Sequence, residues 1–274
     1  MNLTLPCPAK LNLFLHVTGR RDDGYHELQT LFQLLDWGDT LHIAPRSDGE
    51  LVFEGPDLGI PTEDNLVMRA ARKLQRKGQG ATLRLTKVVP SGGGLGGGSS
   101  DAATTLLGLN RLWGLGLTLD ELAELGRELG ADVPVFVQGH SAWAEGVGEL
   151  LTPVDLPERW YLVLRPDCAI ATAEIFSHRE LTRNSSPITI AAFFAGDSRN
   201  DCQNVACELY PEVAKALKWL GNFGEARLTG TGSACFASFP DQAAAEAVLA
   251  QLPLEWSGWV ARGINQSPVH PLLD

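Results

Sequence analysis

Between Ser91 and Asp101 the chain reads Ser-Gly-Gly-Gly-Leu-Gly-Gly-Gly-Ser-Ser-Asp, so six of the seven residues from Gly92 to Gly98 are glycine. Glycine loses more backbone entropy on folding than any other residue, and such a run persists where a folded chain needs bare backbone. Residues 81–89 ahead of it read as a strand, with Leu83 and Leu85 set apart by Arg84 and followed by Thr86 and Lys87. One face of that strand is expected to be wet, and Pro90 closes it. Behind the run, Ala102 to Trp113 carries Leu106, Leu107, Leu109 and Leu112, which predicts a helix beginning near Ser99 or Ser100. A flexible linker would not sit tightly between a strand and a helix. Strand, glycine loop and helix together let amide N–H groups converge and add the positive end of a helix, which suits a phosphate.

The anion must be held locally, because the chain as a whole is acidic. Its 22 Lys and Arg face 33 Asp and Glu, a formal charge of −11, with no basic run. That balance argues against duplex nucleic acid or an anionic membrane as partner. With 274 residues, 44% of them hydrophobic, the chain can bury a large core in one large domain or two ordinary ones. No run of about 18 apolar residues is present to span a bilayer. Residues 1–17 are apolar, but Pro6, Pro8 and Lys10 interrupt them and no positive segment precedes them, unlike a secretory signal. Cys7, Cys168, Cys202, Cys207 and Cys235 include no C-x-x-C pair and no His at zinc-ligand spacing, so they read as reduced core thiols of a cytoplasmic protein.

The first 45 residues read as strand, turn and strand around Gly19-Arg-Arg-Asp-Asp-Gly24. Residues 64–77 have helical spacing, and Thr118-Leu-Asp-Glu121 is a capping box opening a helix that stops at Gly130. Strands are expected at 141–144, 160–165, 226–228, 234–239 and 259–263, and helices at 208–220 and 242–252. The Pro-containing stretch 152–157 suggests a boundary, giving domains 1–153 and 154–274. Strands and helices mix without strict alternation, which predicts α+β rather than a doubly wound sheet.

Several phosphate ligands fit the loop. Gly92-x-Gly94-x-x-Gly97 satisfies a dinucleotide fingerprint trivially, yet the strand before it is too polar for that fold. The P-loop pattern fails for want of Gly-Lys-Ser/Thr, and the catalytic strings of protein kinases are missing. What remains is a glycine loop followed by Ser99, Ser100 and Asp101, groups that serve phosphate oxygens or Mg²⁺ as readily as they cap a helix. A second loop, Leu228-Thr-Gly-Thr-Gly-Ser-Ala-Cys-Phe236, again pairs glycines with hydroxyls before a strand. Two such loops favour a bound nucleotide.

The strings Pro8-Ala-Lys-Leu-Asn-Leu13, Gly19 to His26, Pro90 to Ala103 and Leu228 to Phe236 resemble the superfamily of galactokinase, homoserine, mevalonate and phosphomevalonate kinases. Within it, the similarity is narrower, to kinases of a cytidine-diphosphate-linked polyol in the non-mevalonate isoprenoid pathway. The motifs run in order from residue 8 to residue 236. The resemblance implies a two-domain α+β kinase, an N-terminal ribosomal-protein-S5-like domain and a C-terminal ferredoxin-like domain, with the active site between them. It implies ATP and Mg²⁺ as cofactors, and transfer of the γ-phosphoryl to a substrate hydroxyl, the 2-hydroxyl in that narrower group. By position, Lys10 and Asp132 are the catalytic pair. Pro90, Gly92, Gly93, Gly94, Leu95, Gly96, Gly97, Gly98, Ser99 and Ser100 hold the ATP phosphates, with Ser100 a Mg²⁺ ligand and Asn65 toward the adenine or a helix cap. Asn12, Tyr25, His26 and Phe176 handle the substrate, the aromatic rings of Tyr25 and Phe176 stacking on cytosine and His26 reading its edge.

Elementary chemistry bears on the same residues. Lys10 sits in an otherwise apolar strand, where an unpaired ammonium is expensive to desolvate, so an anion is expected beside it. Asp132 can be that anion and can accept the hydroxyl proton. Competing readings are a mevalonate- or homoserine-type kinase, a nicotinamide-dependent oxidoreductase resting on the glycine match alone, and an RNA-binding module, against which the charge of −11 weighs.

Overall fold

The computed structural model describes residues 1–196 and 198–273. Two long strands, β1 (Leu3–Arg20) and β2 (His26–Arg46), form an antiparallel hairpin closed by a turn in which Gly24 takes φ +91°. The expected hairpin is therefore present, with both faces of β1 buried over most of its length. Register shifts interrupt the pairing between Pro8 and Lys10, Asn12 and Leu15, and Val17 and Gly19. Such bulges bend a strand and re-aim its side chains, here around Lys10 and Asn12.

The other edge of β2 is shared by three partners. β5 (Ala142–Glu145) pairs with Thr30 to Phe32, β10 (Ser257–Ile264) with Leu34 and Leu35, and β4 (Gly80–Thr86) with Thr40 to Arg46. β3 (Leu51–Glu54) runs parallel to β4, and β6 (Leu150–Pro153) pairs with β5. Beyond β10 the sheet continues through β7 (Trp160–Arg165) and β9 (Cys235–Phe239) to β8 (Arg227–Leu228). The mixture is α+β, as expected.

Helices α1 (Leu66–Leu74), α2 (Gly97–Trp113), α3 (Leu119–Arg127) and α4 (Val133–Gln138) accompany the first half of the chain. The second half carries α5 (Thr172–Ser177), α6 (Ile190–Phe194), α7 (Gln203–Leu209), α8 (Pro211–Leu220) and α9 (Gln242–Leu249). One apolar core joins Leu5, Leu34, Ile43 and Leu83 to Leu106 and Leu109 of α2. Another joins Leu162, Leu164 and Ala237 to Val213, Leu217 and Val248. A third draws Leu11, Phe14, Leu31 and Trp143 together with Val163 and Phe236, one set from each half.

Several boundaries differ from expectation. The strand expected over 81–89 ends at Thr86, because Lys87 turns inward to bury its ammonium. Helix α2 starts at Gly97, two residues early, since Gly96 serves as its left-handed N-cap with φ +70°. The helix expected over 208–220 is two, broken where Tyr210 precedes Pro211 and takes φ −128°, ψ 87°. A residue before proline is pushed out of the helical region. The capping box forms as read: Thr118 Oγ1 accepts from Glu121 N at 3.2 Å and Glu121 Oε2 accepts from Thr118 N at 2.8 Å. All five cysteines are free, although Cys168 and Cys207 are only half-buried rather than core. No helix among the described residues is long and apolar enough to cross a membrane.

Candidate active site

A cavity of about 710 Å³ lies between the two halves of the chain. Lys10, Asn12, Tyr25, His26, Gly94, Ser99 and Asp132 line it from one side, and Thr172, Phe176, Gly230 and Thr231 from the other. All of the residues expected to touch substrate thus meet around one space.

Its floor is set by close backbone packing. Gly92, Gly94 and Gly96 all take positive φ, between +70° and +76°. A Cβ on Gly94 would lie 2.2 Å from the Thr229 carbonyl oxygen, and one on Gly232 would lie 2.1 Å from Gly94 N. The two glycine-hydroxyl loops therefore pack backbone against backbone, which no side chain would permit. Ser233 N and Ala234 N donate to the carbonyls of Gly92 and Gly93 at 3.2 and 3.1 Å, and Thr229 Oγ1 donates to that of Gly94 at 3.4 Å. Leu95 O and Gly96 O accept from Lys10 N and Ser100 N at 3.0 and 2.8 Å. With five successive carbonyls engaged by the protein, and no side chain capping the first turn of α2, amide donors remain for an anion.

Not every loop residue reaches the cavity. Pro90, Gly92, Gly93, Leu95, Gly96, Gly97, Gly98 and Ser100 lie outside its lining. Leu95 is a core residue of the third apolar cluster. Ser100 is buried with an unpartnered Oγ at the start of α2. Asn65 caps α1, its Oδ1 accepting from Val67 N at 2.9 Å.

Lys10 is buried, and its Nζ stands 3.1 Å from Asp132 Oδ2 and 2.5 Å from Asn12 Oδ1. The anion demanded by desolvation is present. Its ammonium also lies 5.2 Å from the centre of the Phe32 ring, within cation–π reach. Asn12 is fixed in turn: Nδ2 donates to Thr30 Oγ1 at 3.0 Å, and its backbone N donates to Thr229 Oγ1 at 2.9 Å. Asp132 occupies the N-cap position of α4 without capping it, so the carboxylate is left to Lys10 and the cavity. Its side chain is 33% exposed against 3% for Lys10.

Tyr25, His26 and Phe176 make an aromatic wall of the cavity. His26 itself stacks on Phe176, centroids 4.9 Å apart and planes at 21°, while Tyr25 is 66% exposed at the rim. Burial, then the charges of Arg183 and Arg20, push the His26 pKa below its ordinary value. The ring is therefore neutral near pH 7.

Sequence reasoning missed a buried triad beside the loop. Lys87 Nζ bonds Asp39 Oδ2 and lies 3.0 Å from Asp101 Oδ2, while Asp39 Oδ1 accepts from Val88 N and Val89 N at 2.5 and 2.8 Å. A Cβ on Gly97 would meet Lys87 Nζ at 2.7 Å, so the triad sits directly beneath the first turn of α2. Two carboxylates share one ammonium. Burial pushes the Asp101 pKa up to about 7, with Lys87 opposing and Asp39 reinforcing the rise. The available signal was Asp39 inside an apolar strand, a charge that needs a partner.

The GHMP kinases N-terminal domain matches residues 65–140 and the GHMP kinases C-terminal domain residues 180–258. The chain is 54% identical to a 4-diphosphocytidyl-2-C-methyl-D-erythritol kinase from Hahella chejuensis, covering 97% of this chain and 95% of that one. A crystal structure of 4-(cytidine 5'-diphospho)-2C-methyl-D-erythritol kinase superposes with a TM-score of 0.83 at 34% identity, over 97% of this chain and 100% of the other. Mevalonate kinase of Methanococcus jannaschii shares the fold, with a TM-score of 0.69 at 16% identity over 97% of this chain and 98% of that one.

Proposed function

Because the chain belongs to the 4-diphosphocytidyl-2-C-methyl-D-erythritol kinase family, we propose that it transfers the γ-phosphoryl of ATP to a hydroxyl of that substrate, the 2-hydroxyl, in isoprenoid biosynthesis. It is a phosphotransferase with an alcohol acceptor. The observation that carries the reading is the Lys10–Asp132 ion pair, at 3.1 Å, in the wall of a cavity that has a glycine loop on one side and stacked His26 and Phe176 on another.

Phosphoryl transfer asks for positioning and charge stabilisation, since its loose transition state spreads negative charge over the phosphoryl oxygens. Lys10 supplies a desolvated cation held in place by Asn12 and Asp132. Asp132 is exposed enough to meet a substrate hydroxyl and to accept its proton, while Lys10, 3.1 Å away, holds the carboxylate in orientation. Free amides of the loop and of the first turn of α2 cradle the phosphates. Gly94 and Ser99 are the residues of that segment that line the cavity. His26, Phe176 and Tyr25 form the base end of the site.

Bound Mg²⁺ would supply positive charge to offset that of the phosphates. The donor set fits it only as a cation carried largely by the nucleotide and water, with the unpartnered Ser100 hydroxyl as one protein ligand. No group of three His, Cys, Asp or Glu able to hold a metal is present among the described residues.

Incubation with ATP, Mg²⁺ and a panel of alcohols tests the reading. 4-Diphosphocytidyl-2-C-methyl-D-erythritol should be phosphorylated, and mevalonate and homoserine should not. Preference for either of the latter would overturn it.

A further inference from the structure

The aromatic wall is held by a residue far away in sequence. Arg183 donates from Nε to His26 Nε2 at 3.1 Å, from Nη2 to the carbonyls of Phe176 and His178 at 2.9 and 2.8 Å, and from Nη1 to that of Leu181 at 3.1 Å. One guanidinium thus ties the start of β2 to the end of α5. A guanidinium has donors and no acceptor, so His26 Nε2 must offer it a lone pair. In a neutral imidazole the proton then resides on Nδ1. That nitrogen bonds no other described residue, and His26 lines the cavity.

We propose that Arg183 is a positioning residue that fixes His26 as an Nδ1–H donor, making the base subsite select a pyrimidine whose ring nitrogen accepts a hydrogen bond. The proposal rests on His26 belonging to the base subsite, as read above. Cytosine presents a lone pair at N3, whereas uracil presents N3–H. Opposite an Nδ1–H, uracil would set donor against donor and leave both without a partner. Stacking on Phe176 tolerates either base, so discrimination depends on the proton's location. The low pKa of His26 keeps the ring neutral, which preserves the single-donor pattern. Because the same guanidinium holds the Phe176 carbonyl, it also sets the ring that the base would meet.

Nitrogen NMR of the full chain labelled at histidine reads the tautomer without any substrate. In the parent, His26 should show a protonated Nδ1 and a lone-pair Nε2. Arg183→Met should give a mixture of tautomers, and Arg183→Lys, which keeps a donor, should restore the parental pattern. The companion measurement is the ratio of kcat/KM for cytidine- and uridine-diphosphate forms of the same polyol. It should fall by about tenfold or more in Arg183→Met, with KM for ATP unchanged, and recover in Arg183→Lys. A proton on Nε2 in the parent would overturn the proposal. Equal losses for both bases would also overturn it, since Arg183 would then only brace the wall. If the parent phosphorylates neither form, the kinase reading falls and base selection with it, while the tautomer assignment still stands or falls on the spectrum.

Discussion

Lys10 and Asp132 form one ion pair but differ in what each loses when the other is removed. Lys10 is 3% exposed and Asp132 33%. Taking the charge from Asp132 strands a buried ammonium with Asn12 as its remaining close acceptor, whereas taking away Lys10 leaves a carboxylate that water can reach. Asp132→Asn should therefore lower turnover by about 10²-fold or more, the scale of a lost general base, and lower stability by about 1–3 kcal/mol. Lys10→Met, with its similar length, should abolish most turnover while moving stability by less than about 1 kcal/mol. Steady-state rates and thermal unfolding of both variants check this. Asp132→Asn turning over within a few-fold of the parent would remove Asp132 as the base.

Among the elements, the glycine loop and α2 carry the sharpest expectations. Gly94 needs both φ +76° and the absence of a Cβ, whose nearest neighbour would be backbone. Gly94→Ala should therefore cost about 2 kcal/mol or more and weaken ATP binding at once, because the two loops must part. Gly97 is different: its added Cβ would strike Lys87 and Val89, not the cavity. Gly97→Val should consequently lower the melting temperature as well as ATP affinity. The triad beneath it makes stability depend on pH. Asp101 has its folded pKa raised from 3.8 to about 7, so the fold favours its protonated form. That contribution is complete below about pH 4 and is lost as pH rises through about 7. In Asp101→Asn, Lys87 keeps Asp39 as its counter-ion, and the melting temperature should fall less between about pH 5 and pH 8 than in the parent. Parallel profiles would mean that Asp101 is ionised throughout. What could be read in advance here was local: the glycine run, the capping box at Thr118 and the leucines of α2 each declare themselves within a dozen residues. Lys87 looked wet because its partners lie 48 and 14 residues away. Arg183 gave no local signal because His26 lies 157 residues away.

At the scale of the whole molecule, β2 joins what the sequence divides. A boundary near residues 150–158 was suggested by a proline-containing connection, yet β10 pairs with the middle of β2, and residues near the C-terminus return to the first half, with Val269 in its core. The third apolar cluster then binds the halves along the wall of the cavity. Phe14 is fully buried there, 5.0 Å from the ring of Trp143 and 5.6 Å from that of Phe193, in a cluster that also contains Val163 and Phe236. Residues from both halves therefore lose contacts if this one ring is removed. Two units joined by so much shared apolar surface should not unfold separately, since exposing either half would strip part of the other. The parent should show a single calorimetric transition, coincident with loss of near-ultraviolet tryptophan signal. Phe14→Ala should lower stability by about 3–5 kcal/mol, as emptied aromatic core sites do, while keeping that transition single. It should also reduce turnover near room temperature, because Lys10, Asn12 and Thr30 hang on the same two strands, and Thr30 Oγ1 donates to the Phe14 carbonyl. Two resolved transitions in the parent would show that the halves are energetically independent and that the cavity between them is held by something weaker than a shared core.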